Sequence, residues 1–137
     1  MKSLFFILSA MLLAACSHPE QVKNPATEGP VISAELSNQK VTCVCEDAQG
    51  QIWIGTFRGL NRYNSHEYHQ YFCHDDSVSL PDNQIQDLML DSKGRLWVST
   101  VNGVARYTDQ DQFEQIPIEG HNGNGVHLLE LKNGRIL

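Results

Sequence analysis

The chain has 137 residues, 41% of them hydrophobic, and a formal net charge of −6. That length suits one ordinary domain. Lys and Arg are scattered singly without a basic stripe, which sets nucleic-acid binding aside.

Residues 1–16 read as a targeting segment. Lys2 gives the positive start and Leu4 to Leu13 an apolar core too short to span a bilayer comfortably. Leu13-Ala14-Ala15-Cys16 resembles the bacterial lipoprotein processing box, which implies lipid on Cys16 and a mature chain outside the cytoplasm. An ordinary signal peptide with a fortuitous Cys and an uncleaved anchor are the alternatives. Residues 17–35 are expected to form a flexible tether, since they carry Pro19, Pro25, Gly29 and Pro30. No second apolar stretch follows, so no transmembrane helix is expected.

The next feature is a repeat. Residues 47–63 read DAQGQIWIGTFRGLNRY and residues 91–107 read DSKGRLWVSTVNGVARY. Asp47, Gly50, Trp53, Thr56 and Gly59 recur 44 positions on as Asp91, Gly94, Trp97, Thr100 and Gly103. Arg62-Tyr63 likewise recurs as Arg106-Tyr107. A period of roughly 40–45 residues marks stacked four-stranded units such as propeller blades. Val41 to Glu46 and Ile85 to Leu90 predict first strands. Asp followed three residues later by Gly predicts a turn, the carboxylate accepting from backbone amides. Ile52 to Ile54 and Leu96 to Val98 are β-prone second strands. Arg58-Gly59 and Asn102-Gly103 signal a hairpin. Third strands follow over Leu60 to Tyr63 and Val104 to Tyr107, with outer strands near Tyr68 to Phe72 and Phe113 to Ile116. The two Trp are expected to pack between neighbouring blades.

A third copy begins. Val126, Leu129 and Leu131 are spaced like Ile85, Leu88 and Leu90, and the run Asn133 to Leu137 resembles the turn and next strand with one residue missing before Gly134. The expected fold is all-β: an incomplete β-propeller of two four-stranded antiparallel blades plus the start of a third. Its parts are residues 36–79, 80–121 and 122–137. Propellers use about four to eight blades, so the sequence reads as a piece of a longer array. A closed ring built from several chains is the alternative.

Of the remaining cysteines, Cys43 and Cys45 lie two apart on one strand, about 6.5–7 Å between Cα atoms, at or beyond disulfide reach. With Cys73 they read as small, mostly buried thiols. His66, His69 and His74 near Cys73 lack metal-site spacing, so neither a metal nor a cofactor is expected.

The repeat resembles the two-component regulator propeller repeat: an apolar strand, Asp-x-x-Gly, apolar-Trp-apolar, Gly-Thr, x-x-Gly-Leu and a basic-aromatic pair. Ser99 departs from it by replacing the Gly before Thr100. The resemblance covers about residues 36–137. It implies the periplasmic sensor of a hybrid two-component regulator of the kind common in Bacteroidetes, where oligosaccharides are sensed. It also implies further blades and a histidine kinase downstream in a parent protein. Neither a kinase context nor a Gly-rich nucleotide loop is present in these residues.

In a propeller, the loops joining second to third strands and blade to blade open on one face. Phe57, Arg58, Val101 and Asn102 fall there, with the segment from His74 to Gln84. Arg58, Asn102 and His74 suit hydrogen bonds to an oligosaccharide, and Phe57 suits stacking on a sugar ring. The competing roles are a turn former for Asn102 and a solvated loop for Asp75 and Asp76. Related repeats also occur in antibiotic-inactivating lyases, but no His recurs on an inner strand, so no enzyme is expected. A lipid-anchored binding module without a kinase is the alternative to the sensor.

Overall fold

The computed structural model describes residues 29–118 and 127–137. The leader, Cys16, the tether up to residue 28 and Val126 lie outside the described residues.

Among the described residues nine strands follow in chain order. They are β1 (Val31–Ser33), β2 (Val41–Glu46), β3 (Ile52–Thr56), β4 (Gly59–Tyr63), β5 (Tyr68–Tyr71), β6 (Ile85–Leu90), β7 (Leu96–Thr100), β8 (Gly103–Thr108) and β9 (Gln112–Ile116). They make two antiparallel sheets, ordered β1-β5-β4-β3-β2 and β6-β7-β8-β9. The two sheets repeat each other in detail. Each inner strand carries a β-bulge at the same place, between Val41 and Cys43 and between Ile85 and Asp87.

The first sheet corrects one expectation. It has five strands rather than four, because Val31–Ser33 pairs with the outer strand β5. The tether drawn to residue 35 therefore overlaps the fold. Glutamine amides explain the lead-in. Gln70 Nε2 donates to the Glu35 carbonyl at 2.8 Å, and its counterpart Gln115 Nε2 donates to the Ser79 carbonyl at 3.1 Å. Phe113 N also donates to Val78 O at 2.8 Å. Val78 and Ser79 thus lie along the outer strand of the second sheet, as Val31–Ser33 and Glu35 lie along that of the first. A three-residue strand beside Pro30 leaves too short a pattern to read from sequence.

Asp47 N donates to Gln51 O and Gly50 N to Asp47 O; Asp91 N donates to Arg95 O and Gly94 N to Asp91 O. Gly50 and Gly94 both sit at φ +75°, the left-handed conformation the turn requires. The third copy closes the same turn: Leu131 N donates to Arg135 O, Gly134 N to Leu131 O, and Gly134 has φ +77°. Glu130 pairs with Ile136 as Leu90 pairs with Leu96. No residue is missing there. Glu130, not Leu131, stands in the place of Leu90. Leu131 and Leu137 then occupy the places of Asp91 and Trp97.

The hairpins also shift by one residue. Thr56 pairs with Gly59 and Thr100 with Gly103, so Phe57-Arg58 and Val101-Asn102 form the turns. Thr56 Oγ1 donates to Gly59 O at 2.8 Å and Thr100 Oγ1 to Gly103 O at 2.9 Å, which accounts for the repeated Thr.

The core lies between the sheets, where β2 and β3 face β6. Trp53, Leu60, Leu80, Ile85 and Val98 are fully buried there. At Gly55 two side chains press on the backbone: an added Cβ would lie 2.5 Å from Cys43 Sγ and 2.7 Å from Ile85 Cγ2.

Candidate functional site

Each repeated Asp holds its turn and its Trp together. Asp47 Oδ1 accepts from the Gln49 and Gln51 amides at 3.0 and 2.9 Å, while Oδ2 accepts from Trp53 Nε1 at 2.8 Å. Asp91 repeats this with Lys93, Arg95 and Trp97, and adds Arg95 Nε at 2.6 Å. Burial opposes ionisation of Asp91. The indole, the Arg95 groups and the Lys93 amide outweigh it and hold the carboxyl down at about 2.

The two Trp differ in surroundings. Trp53 is 1% exposed, stacked on Tyr71 with centroids 5.6 Å apart and edge-on to Tyr107 of the second sheet at 4.7 Å. This is the inter-blade packing expected. Trp97 is half-buried, flanked by the guanidinium groups of Arg95 and Arg106.

A polar cluster joins the blades beside Trp53. Arg62 Nη1 donates to Tyr107 Oη at 2.7 Å and lies 3.1 Å from Asp111 Oδ1. Asp111 Oδ1 also accepts from Tyr71 Oη at 2.6 Å and Tyr107 Oη at 2.7 Å. Burial pushes the Tyr71 and Tyr107 phenols up, Tyr107 to about 12, and the Asp111 contact adds to both. Burial works against the Asp111 carboxylate, but the two phenols and Arg62 hold its carboxyl below the usual range. Sequence reading missed Tyr71 and Asp111. The repeated Arg-Tyr pair was the signal for Arg62 and Tyr107.

The expected ligand residues divide into two places. Phe57, Arg58 and Asn102 sit at the two hairpins, beside the connection 81–84: Gly59 N donates to Asn83 O, Val101 N to Gln84 O, and Asn102 Nδ2 to Asp82 Oδ2 at 2.7 Å. Asn102 is exposed, but its amide is tied to Asp82. One face of the Phe57 ring carries the Lys40 ammonium, 3.6 Å from its centroid. Arg58 is exposed, and its guanidinium has no partner among the described residues. His74 lies elsewhere. Its backbone is tied to Ser79 Oγ, and it lines a cleft of about 260 Å³ on the outer rim, with Gln70, Tyr71, Asp76, Asp111 and Phe113. No hydrogen bond joins His74 to the hairpin residues.

Cys43, Cys45 and Cys73 are free and partly buried, and burial raises all three thiols. Among the described residues, no group of three or more His, Cys, Asp or Glu could hold a metal ion.

The repeated turn, Trp and hairpin coincide with a known family. Residues 35–58 and 79–102 match the family described as two component regulator propeller. These two segments are similar to regulator propeller repeats. Both matches begin at the lead-in carbonyls, Glu35 and Ser79, that Gln70 and Gln115 hold. A crystal structure assigned as the extracellular domain of the hybrid two component system BT3049 from B. thetaiotaomicron is similar, with 27% identity over 70% of this chain and a TM-score of 0.56. This chain spans 14% of that one's length. No curated protein matches.

Proposed function

We propose that this chain is an extracytoplasmic ligand-sensing part of a two-component regulatory system. The observation that carries the reading is the stacking of two regulator propeller repeats in one register. A likeness to the extracellular domain of a hybrid two component system supports the same placement. The partners are further propeller blades and a histidine kinase of the parent protein. The ligand is a carbohydrate. Arg58 supports that choice, as an exposed guanidinium with no internal partner on a hairpin held rigid by Thr56 and Gly59. Phe57 offers the ring face opposite Lys40 and Asn102 a hydrogen bond beside it, while His74 offers one at a separate place, on the outer rim. The membrane link is lipid on Cys16.

Calorimetric titration of the full chain with a saccharide panel tests the ligand. Arg58→Ala should weaken the best binder about tenfold, and a panel in which nothing binds removes the carbohydrate reading. Cys16→Ala should move the protein from the membrane to the soluble fraction. Unchanged membrane association would rule out the lipid anchor.

A further inference from the structure

The arginine that crosses the blade boundary has a histidine for its neighbour. Arg62 on β4 pairs across the sheet with His69 on β5, as Arg106 on β8 pairs with Glu114 on β9. Arg106 forms an ion pair with that Glu114 carboxylate. Arg62 faces an imidazole instead and takes its carboxylate, Asp111, from the second sheet. Its guanidinium is shared between the two sheets. Nη1 donates to Tyr107 Oη at 2.7 Å and lies 3.1 Å from Asp111 Oδ1, while Nη2 lies 3.4 Å from His69 Nδ1. Nε is buried and has no partner among the described residues. The Trp53, Tyr71 and Tyr107 rings close around the guanidinium at 5.5 to 5.9 Å. Confined in this way, Arg62 depends on His69 to satisfy its Nη2.

A guanidinium only donates, so His69 Nδ1 accepts, and the neutral ring carries its hydrogen on Nε2. That nitrogen faces an acceptor, Glu67 Oε1, at 3.4 Å. The Asn64 amide nitrogen also lies 3.4 Å from it, since Asn64 Oδ1 is turned away to the His66 and Glu67 amides. From β1 the register partner is Ile32, which adds no charge. From the second sheet the charged and titratable groups are Asp111 and the Tyr107 phenol, reached through Arg62. A proton on Nδ1 would set N–H against N–H and a second positive charge beside the guanidinium, while strengthening the attraction to Glu67. We infer that His69 is a proton-responsive brace at the blade boundary: neutral, it holds Arg62 Nη2 in place; protonated, it releases Nη2 and pairs with Glu67. The inference concerns the contact between blades and does not rest on the carbohydrate reading.

The test is a nuclear magnetic resonance titration of the full chain, with His, Arg and Tyr labelled, from about pH 8 to about pH 5, the range in which histidines change charge. At the upper end the His69 ring should show its hydrogen on Nε2. As His69 gains its second proton, the Arg62 guanidinium and Tyr107 ring signals should shift along the same curve. Asp111 is held below the usual carboxylate range and the Tyr107 phenol is pushed up to about 12, so neither changes charge in this window. His69→Gln supplies an acceptor that does not titrate, and should leave the Arg62 and Tyr107 signals flat. A neutral ring with its hydrogen on Nδ1, or Arg62 signals that stay flat while wild-type His69 titrates, overturns the inference. Shifts that persist in His69→Gln assign the response to another group and overturn it as well. Should His69→Gln fail to fold, the wild-type tautomer and the shared titration curve decide.

Discussion

Changing Asp91 to Asn removes the charge from a carboxylate that receives four donors: the Lys93 and Arg95 amides, Arg95 Nε and Trp97 Nε1. The Asp91 side chain is 0% exposed, so solvent screens these bonds little. Its carboxyl is held at about 2 against an ordinary 3.8. That depression corresponds to about 2 kcal/mol of stability. Because the folded value lies below the unfolded one, this stability is complete at neutral pH and fades as the pH falls from the ordinary value through about 2. Asp91→Asn should therefore lower the urea midpoint by about 1 M at pH 7, taking an m-value of about 1–3 kcal/mol/M. The gap between wild type and variant should close as the pH approaches 2. Equilibrium urea unfolding of the full chain at several pH values reads both quantities. A variant as stable as wild type at pH 7, or a gap that widens in acid, would refute the claim that this carboxylate ties the turn to the indole.

Trp53→Ala, at a site 1% exposed between the blades, should cost about 3–5 kcal/mol. Trp97→Ala, at the half-buried equivalent, should cost at least 1 kcal/mol less by the same unfolding measurement. Equal losses would contradict the difference in surroundings. Gly55→Ala should cost about 1–3 kcal/mol by forcing Cys43 and Ile85 apart, read as a lowered melting temperature. A neutral result would mean that the Cys43 and Ile85 side chains do not press on Gly55.

Much of the fold was legible because the sequence says the same thing twice. Strands β2 and β6 match their expected limits, Val41–Glu46 and Ile85–Leu90. The recurrence of Asp, Gly, Trp and Thr marked the turns and hairpins. What escaped was either too short or not local. Val31–Ser33 is a three-residue strand whose partner lies almost forty residues away, at Tyr68 to Gln70. The third copy lost both Asp and Trp, so apolar spacing alone could not distinguish Leu131 from the place of Leu90. Only its turn hydrogen bonds fix the register. Asn102-Gly103 suggested the two central residues of a turn, but the Thr100 hydroxyl draws the pair back by one, to Val101-Asn102. At the candidate site, Phe57, Arg58 and Asn102 came out at the hairpins as expected. His74 separated from them because its loop is fastened to Ser79. Asp111 carries no repeat signal. Its partners come from both sheets, and only packing the two blades brings Tyr71 and Arg62 to it.

The closest test of the blade-on-blade stacking is a nuclear Overhauser measurement between the Trp53 indole and the Tyr107 ring in a selectively labelled full chain. With ring centroids 4.7 Å apart, strong cross-peaks should join them, and further ones should join Tyr71 to Phe113. Sharp aromatic signals from a folded chain with no Trp53–Tyr107 cross-peak would contradict it.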